Sequence, residues 1–396
     1  MENKKTLIFG GDLCINNAKY EIDANVKNTF EEATYAILNL EGPIVDNENN
    51  FSKYQKVGTH LLQPAGVIEM LKTLNVKYVS GANNHIFDYS KNGIDHTVEL
   101  LLKNQITFAG FGKNFYEAQR YINLHNSNIS IICTAEEEFA VADDCRFGVY
   151  SLYDEKIKKQ IQELKNDNRY VIVYPHGGGE MIPLPSSFIR NKYRELIDAG
   201  ADLIVAHHPH IPQGWERYNG KLIFYSLGNF IHRSFKNSKG LILKIEIENN
   251  KLKNYSYRQI KCKNNKLFFD DSTLHKYIET VNNILSDDIL FKALYQEQSI
   301  NMYKSYYRKY LTGLFIERDA KTKIKEFVKK NLLKENKHIY IKNEKNDSLN
   351  LLHLLRNESH RDFISHALKV LTGEITDVRS NESKELLKRF DEYIYE

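Results

Sequence analysis

The chain has 396 residues, 42% of them hydrophobic, which suffices for a sizeable core and for two domains. Its 55 basic and 51 acidic residues leave a formal net charge of only +4, which argues against a polyanionic partner held by overall charge. The four scattered cysteines form neither a C-x-x-C pair nor a disulfide framework, which favours a reducing compartment.

The amino terminus begins almost at once with a predicted strand. Its apolar run is too short for a signal peptide or an anchor, and no small-residue cleavage site follows. No window elsewhere approaches the roughly 20 apolar residues of a membrane span. We therefore expect a soluble, cytoplasmic protein.

The first two thirds of the chain alternate short apolar runs with amphipathic patterns, which is typical of an α/β fold. The predicted strands are residues 7–9, 36–40, 76–80, 106–109, 129–133, 170–174, 202–206 and 222–225, followed by a hairpin of 240–248 and 251–259. The predicted helices are residues 64–72, 93–102 and 187–199, and each has an apolar face suited to covering a sheet.

After about residue 260 the sequence becomes highly charged and mostly helical in pattern, so we expect a catalytic domain over residues 1–260 and a helical domain of unknown role over 261–396. Helical spacing is found in residues 324–332, 359–371 and 382–393. The Tyr- and Lys-rich segment 302–311 is explained more simply as a solvated helix face than as a nucleic-acid surface. A protein partner on these helices is left open.

Polar side chains follow the predicted strands at their carboxyl ends. In open α/β sheets ligands bind in the crevice at those ends, so we expect these groups to converge on one site. Two divalent cations need a bridging carboxylate and further imidazole, amide or carboxylate ligands. The residues that supply this set are Asp12, Glu41, Asn84, His176, His207 and His210. The glycines between His176 and Glu180 permit close backbone approach and suggest Glu180 as a supporting partner of the site.

Six motifs stand in this order along the chain: Asp12, Asn39-Leu40-Glu41, Asn83-Asn84-His85-x-x-Asp88, His176-x-Gly178-x-Glu180, His207-His208-Pro209-His210 and Tyr225-Ser226-Leu227-Gly228-Asn229-Phe230. Together they resemble the motifs of the poly-gamma-glutamate capsule biosynthesis (CapA-like) family, within the calcineurin-like metallophosphoesterase superfamily. The resemblance covers roughly residues 5–260. It implies a four-layer α/β/β/α sandwich with a dinuclear Mn, Fe or Zn site between its two sheets, and it leaves the helical carboxy-terminal extension uncovered.

The resemblance also implies a role for each residue of the site. Asp12 and His210 would bind the first metal, Glu41 would bridge, and the second metal would be held by Asn84, His176 and His207. His208 would be a bystander or a supporting residue, His85 the general acid, and Asp88 the residue that orients it. Cys14 stands where the wider superfamily has a histidine, which predicts a weaker or thiolate-assisted first site. For His232 the choice between the rim of the site and no role is left open.

These observations predict a metal-dependent hydrolase in which a hydroxide bridging two metal ions attacks the substrate while His85 protonates the leaving group. The bond would be a phosphoester or an amide of a glutamyl-type polymer or peptide, in capsule or polymer biosynthesis. Two alternatives stay open: a non-catalytic scaffold that binds a polyanionic chain, and a nuclease-like phosphodiesterase.

Overall fold

The computed structural model describes residues 4–235, 237–272, 274–308, 311 and 348–395, which form a mixed α/β fold with a helical carboxy-terminal region. The strands of these residues are β1 (Lys4–Cys14), β2 (Glu21–Ile22), β3 (Tyr35–Leu40), β4 (Tyr78–Ser80), β5 (Thr107–Ala109), β6 (Phe111–Gly112), β7 (Ile122–Asn123), β8 (Ile129–Ala135), β9 (Gly148–Val149), β10 (Tyr170–His176), β11 (Leu203–Val205), β12 (Trp215–Tyr218), β13 (Lys221–Phe224), β14 (Asn229–His232), β15 (Asn237–Glu248), β16 (Lys251–Lys263) and β17 (Lys266–Phe269). The α-helices are α1 (Ala24–Glu31), α2 (Gly66–Thr73), α3 (Ser90–Lys103), α4 (Phe115–Ala118), α5 (Lys156–Asn166), α6 (Ser187–Asp198), α7 (Leu274–Ser286), α8 (Asp288–Met302), α9 (which includes residues 348–356), α10 (Glu358–Leu371) and α11 (Asn381–Tyr395).

The larger sheet is centred on β1, which is buried from Leu7 to its end because both faces of the sheet are covered. In the described part of the chain its strand order is β2-β17-β16-β15-β1-β3-β4-β5, and β14 also pairs with the carboxyl end of β1. Strands β1, β3, β4 and β5 run parallel, so their carboxyl ends meet at one edge of the sheet, where Asp12 is the register partner of Asn39.

The smaller sheet has the strand order β12-β13-β11-β10-β8-β7, and β8, β10, β11 and β13 are parallel. It packs face to face on the larger sheet: the rings of Phe9 and Tyr174 have centroids 5.7 Å apart, and the Tyr174 hydroxyl donates a hydrogen bond to the carbonyl of Gly10. Helices α1 and α3 contact the larger sheet, and α5 and α6 contact the smaller one. The predicted four-layer sandwich is therefore confirmed, and the predicted strands and helices of this region coincide with observed elements.

The larger sheet extends beyond residue 260, where we expected the first domain to end. Strand β16 continues to Lys263, and β17 pairs with it after a two-residue turn at Asn264 and Asn265, both with positive φ. Asparagine tolerates this left-handed backbone, which explains how the Lys- and Asn-rich segment forms a hairpin. The division of the chain into two domains near residue 260 stays a prediction. The last strand of the larger sheet ends at Phe269.

The carboxy-terminal helices pack against one another and against the sandwich. Helix α8 contacts α10 and α11, and a small apolar cluster joins Ile182 of the sandwich to Tyr295 and Phe363. The helices predicted over 359–371 and 382–393 coincide with α10 and α11, whereas the one predicted within 324–332 lies outside the described residues. None of the helices in the described ranges combines the length and apolar character needed to cross a bilayer.

Candidate metal centre

Asp12 lies near the carboxyl end of β1, and its side chain is fully buried. The Asn39 amide donates a hydrogen bond to Oδ1 (2.7 Å), the backbone N–H of His208 donates to Oδ2 (3.1 Å), and His207 Nδ1 lies 3.0 Å from Oδ1. Burial acts to raise the pKa of Asp12, but hydrogen bonds from His176 and the other histidines hold that pKa well below its usual value. Asp12 is therefore an ionised acceptor where the two sheets meet.

The residue before Asp12 has to be glycine. A Cβ atom on Gly11 would lie 1.7 Å from the carbonyl oxygen of Gly228, which also accepts a hydrogen bond from the backbone N–H of Asp12 (3.1 Å). This close approach places Asp12 against the turn that precedes β14.

Glu41 directly follows β3 and lies fully buried at the centre of the cluster. Its carboxylate is 3.3 Å from His232 Nε2 and 4.0 Å from the Nε2 atoms of His176 and His210. Neither oxygen has a hydrogen-bond partner among the described residues. Burial raises the pKa of Glu41, and the negative charge of Asp12 raises it further. A buried carboxylate without donors and surrounded by imidazoles is suited to binding a cation.

His176 ends β10 and has a different environment on each ring nitrogen. Its Nε2 lies 3.0 Å from Asn84 Oδ1 and 2.9 Å from His208 Nδ1, on the side of Glu41. Its Nδ1 lies 2.9 Å from His207 Nδ1. Burial lowers the pKa of His176 to about 4, so the imidazole is neutral and available as a ligand. His207 and His208 therefore contact opposite sides of the His176 ring, His207 at Nδ1 and His208 at Nε2.

The segment after β11 places His208, and not His207, beside Asn84 and His176 Nε2. His208 has a φ of 105°, a left-handed value that turns the backbone and directs its ring away from that of His207. His207 lies instead against Asp12 and the ring of Tyr174, with centroids 4.4 Å apart. The sequence analysis gave the second metal to His207 and left His208 aside; in the structure each of the two shares a candidate ligand group with His176.

His210 occupies the side of the cluster expected for the first metal. Its Nδ1 lies 3.0 Å from Asn229 Oδ1 and 3.6 Å from Asp12 Oδ2, and its Nε2 faces Glu41. Burial lowers the pKa of His210, but the charge of Glu41 and the contact with Asp12 outweigh this and raise it to about 10.

His232 is buried and belongs to the cluster. The sequence analysis left open whether this residue lies at the rim of the site or has no role. Its Nδ1 accepts a hydrogen bond from the backbone N–H of Ser234 (3.3 Å), and its Nε2 lies 3.3 Å from Glu41 Oε2. Cys14 points elsewhere, with Sγ 3.9 Å from the carbonyl of Leu62, and it belongs to none of the candidate ligand groups found among the described residues. Burial raises the pKa of its thiol, so the geometry gives no support to a thiolate-assisted site.

The predicted acid His85 lies beside the cluster with two charged neighbours. Its Nδ1 is 2.7 Å from Asp88 Oδ2, and Lys56 Nζ is 2.5 Å from Asp88 Oδ1 and 3.0 Å from His85 Nδ1. The backbone N–H of Leu61 also donates to Asp88 (2.7 Å). Burial acts to raise the pKa of Asp88, but the charges of His85 and Lys56 lower it below its usual value. Lys56, whose side chain is 1% exposed, was not found from the sequence.

A cavity of about 360 Å³ opens onto this cluster. Asn84, His85, His210 and His232 line its inner end. Residues that sequence reasoning did not connect with the site line the rest, among them Lys56, Glu138, Phe139, Tyr306, Asn350, His353 and Leu354. Burial raises the pKa of Glu138 to about 8. The carboxy-terminal helices thus share one cavity with the predicted catalytic residues.

Glu136 supports the glycine loop after His176. The buried Glu136 accepts hydrogen bonds from the backbone N–H of Gly178 (2.9 Å), the Tyr153 hydroxyl (2.8 Å) and the Ser359 hydroxyl of α10 (2.8 Å). Glu180 is exposed, and it shares a candidate ligand group with His208 and His210.

The residues present fit divalent metal ions. Ligand atoms within 4.8 Å of one another occur in the groups Asp12–His176–His207, Glu41–His210–His232, Glu41–His176–His208 and Glu180–His208–His210. Nitrogen and carboxylate oxygen donors of this kind suit Mn, Fe and Zn. The strongest sign is the Glu41 carboxylate, whose two buried oxygens receive no hydrogen bond from any residue that the structure describes, because a buried carboxylate without a partner is costly.

Comparison with known proteins gives the following matches. The sequence model of the family described as "Bacterial capsule synthesis protein PGA_cap" matches residues 6–234. The chain is 32% identical over 212 residues to "PGA biosynthesis protein CapA" of Bacillus subtilis (strain 168), covering 52% of this chain and 55% of that protein. It is 28% identical over 249 residues to "Capsule biosynthesis protein CapA" of Bacillus anthracis, covering 58% and 60% of the two chains. It is 27% identical over 246 residues to a "Probable polyglutamine synthesis accessory protein" of Mycobacterium tuberculosis (strain CDC 1551 / Oshkosh), covering 55% and 62%. The chain thus spans less than two thirds of the length of each of these three relatives.

Proposed function

The chain belongs to the family of bacterial capsule synthesis proteins described as PGA_cap, and from this membership and its histidine-rich cluster we propose that it is a metal-dependent hydrolase. The substrate would be a phosphoester or an amide of a glutamyl-type polymer or peptide. One observation carries the proposal: within the part of the chain that the structure describes, the buried Glu41 carboxylate is surrounded by imidazoles and has no hydrogen-bond donor, next to a cavity lined by His85, whose ring contacts Asp88.

We propose two ligand sets that share Glu41. Asp12, Glu41 and His210 would hold one ion. Glu41, Asn84, His176 and His208 would hold the other, with His207 and His232 as neighbours of the two carboxylates. When bound, divalent ions would supply Lewis acidity and activate water as a nucleophile.

The residues of this chain would perform the remaining tasks. Asp88 fixes the His85 ring through Nδ1, which leaves Nε2 as the atom that would give a proton to the leaving group. Lys56 keeps Asp88 ionised and in place. Asn84, between His176 and Glu138, would orient the electrophile at the inner end of the cavity.

We also propose that the sandwich over about residues 1–260 and the helical region over 261–396 act together. Tyr306, Asn350, His353 and Leu354 of the helical region line the cavity. A role in capsule or polymer biosynthesis is consistent with the names of the relatives, which are capsule or polyglutamine synthesis proteins.

The test uses the full chain, stripped of metal and reloaded with Mn, Fe or Zn. Elemental analysis would measure bound metal, and p-nitrophenyl phosphate, bis-p-nitrophenyl phosphate and γ-glutamyl-p-nitroanilide would report turnover. We expect metal binding and hydrolysis of at least one of these bonds, with loss of turnover but not of metal in His85→Gln. Absence of both metal and turnover would contradict the proposal.

A further inference from the structure

The cavity has two chemically different ends. The inner end is formed by the histidine-rich cluster and by Asn84 and His85. The outer end is formed by Glu138 and Phe139 together with helices beyond the segment that the family model matches, chiefly through His353. A substrate held by the cluster would therefore extend toward His353, which lies outside the segment that the family model matches.

Glu138 is a buried carboxyl group at this outer end, only 9% exposed. The Asn84 amide contacts it, and His353 Nδ1 lies 3.5 Å from its Oε1. The neighbouring Lys56 is engaged by Asp88, 2.5 Å away. No lysine or arginine nitrogen in the described ranges lies within 4.0 Å of the Glu138 carboxyl group. Glu138 is thus an acidic group that faces the cavity and has no ion-pair partner of its own among the lysines and arginines that the structure describes.

His353 is held in place by two contacts. Its ring stacks on Phe139, with centroids 5.3 Å apart and planes 7° from parallel. Its Nε2 lies 3.1 Å from His360 Nε2, and His360 Nδ1 lies 2.7 Å from the Tyr307 hydroxyl. The remaining nitrogen, Nδ1, is buried, lacks a hydrogen-bond partner among the described residues and faces Glu138. Because its ring is fixed in this way, His353 is pre-organised to present Nδ1 to a polar group of a ligand.

We propose that this outer end, formed by Glu138 and His353, binds an ammonium group of the substrate and so selects amine-bearing substrates. An ammonium group would donate hydrogen bonds to the buried carboxyl group and stabilise its ionised form, whereas an anionic group could not do so and would approach Glu180, which also lines the cavity. The inference rests on the proposed function, because it places the ammonium group on a molecule whose scissile bond lies at the cluster.

Two probes that differ only in the ammonium group test this inference: γ-glutamyl-p-nitroanilide and glutaric acid mono-p-nitroanilide. Calorimetry would measure the binding of each to the full chain, with and without zinc. Since a charge-assisted hydrogen bond contributes about 1.5–3 kcal/mol, we expect at least about tenfold tighter binding of the ammonium-bearing probe. Glu138→Gln should abolish this preference. His353→Phe, which keeps the stacking on Phe139, should reduce it.

The matched control is Glu137→Gln, since that carboxylate accepts a hydrogen bond from the Ser151 hydroxyl (2.7 Å) and does not line the cavity. This variant should keep the preference. Equal binding of the two probes, no binding of either, or an unchanged preference in Glu138→Gln would overturn the inference. The proposed function fails separately, by absence of bound metal and of turnover in the unsubstituted chain.

Discussion

The buried contact between Lys56 and Asp88 predicts a large loss of stability in Asp88→Asn. Both side chains are 1% exposed, and Asp88 is contacted by Lys56 Nζ at 2.5 Å, His85 Nδ1 at 2.7 Å and the backbone N–H of Leu61 at 2.7 Å. An asparagine oxygen can still accept from Leu61, but the Lys56 ammonium loses its counter-charge. Leaving a buried charge uncompensated costs about 3–5 kcal/mol, a large fraction of the roughly 5–15 kcal/mol that stabilises a typical protein.

Urea unfolding of the metal-free chain would measure this loss, and the double variant Lys56→Met/Asp88→Asn is the control. Methionine fills a similar volume without charge, so we expect the double variant to recover most of the lost free energy of unfolding, to within about 2 kcal/mol of the original chain. A loss below about 1 kcal/mol in Asp88→Asn, or a double variant no more stable than the single one, would refute the reasoning.

Three further predictions concern the same region. His208→Ala should lose about one of two bound metal ions by elemental analysis while His207→Ala keeps both, and the opposite result would restore the assignment made from the sequence. His85→Gln should lower kcat by about 10²- to 10⁴-fold at unchanged metal content, and an unchanged kcat would exclude His85 as the acid. Because the pKa of Asp88 is depressed in the folded state, its contribution to stability is present above its unfolded pKa of about 3.9 and is lost as the pH falls through the folded value. The free energy of unfolding, measured from pH 7 to pH 2, should therefore fall more steeply for the original chain than for Asp88→Asn, and parallel curves would contradict this.

Much of the fold and the composition of the site were predictable because ligands of an α/β sheet follow its parallel strands. Asp12, Glu41, Asn84, His176 and His210 each come after or at the end of a strand, and the structure gathers all five around one point. Apolar runs indicate where strands lie, so polar residues at their ends could be assigned to one edge without knowing the pairing of the strands.

The choice between His207 and His208 could not be made from the sequence. It depends on the left-handed φ of 105° at His208, a backbone value that this residue type rarely adopts and that no local pattern predicts. His232 gave only a weak signal, a histidine at the end of a short strand after a glycine turn, and its burial depends on the pairing of β14 with β1.

Lys56, Glu136, Glu138 and His353 were missed for a different reason. Their functional contacts join segments that are far apart in the chain, such as Glu136 with Ser359, and the first three lie in connections without periodicity. The strand over 266–269 was missed because a Lys- and Asn-rich turn is typical of a linker as well as of a hairpin.

The most direct test of the central claim is the metal content of the reloaded full chain, compared with that of Glu41→Gln. Glu41 is the one carboxylate shared by both proposed ligand sets, and neither of its oxygens has a hydrogen-bond donor among the described residues. The proposal predicts about two Mn, Fe or Zn ions per chain and the loss of most of this metal in Glu41→Gln, with the fold retained by circular dichroism. A chain that binds no metal, or a Glu41→Gln variant that binds as much as the original, would contradict it.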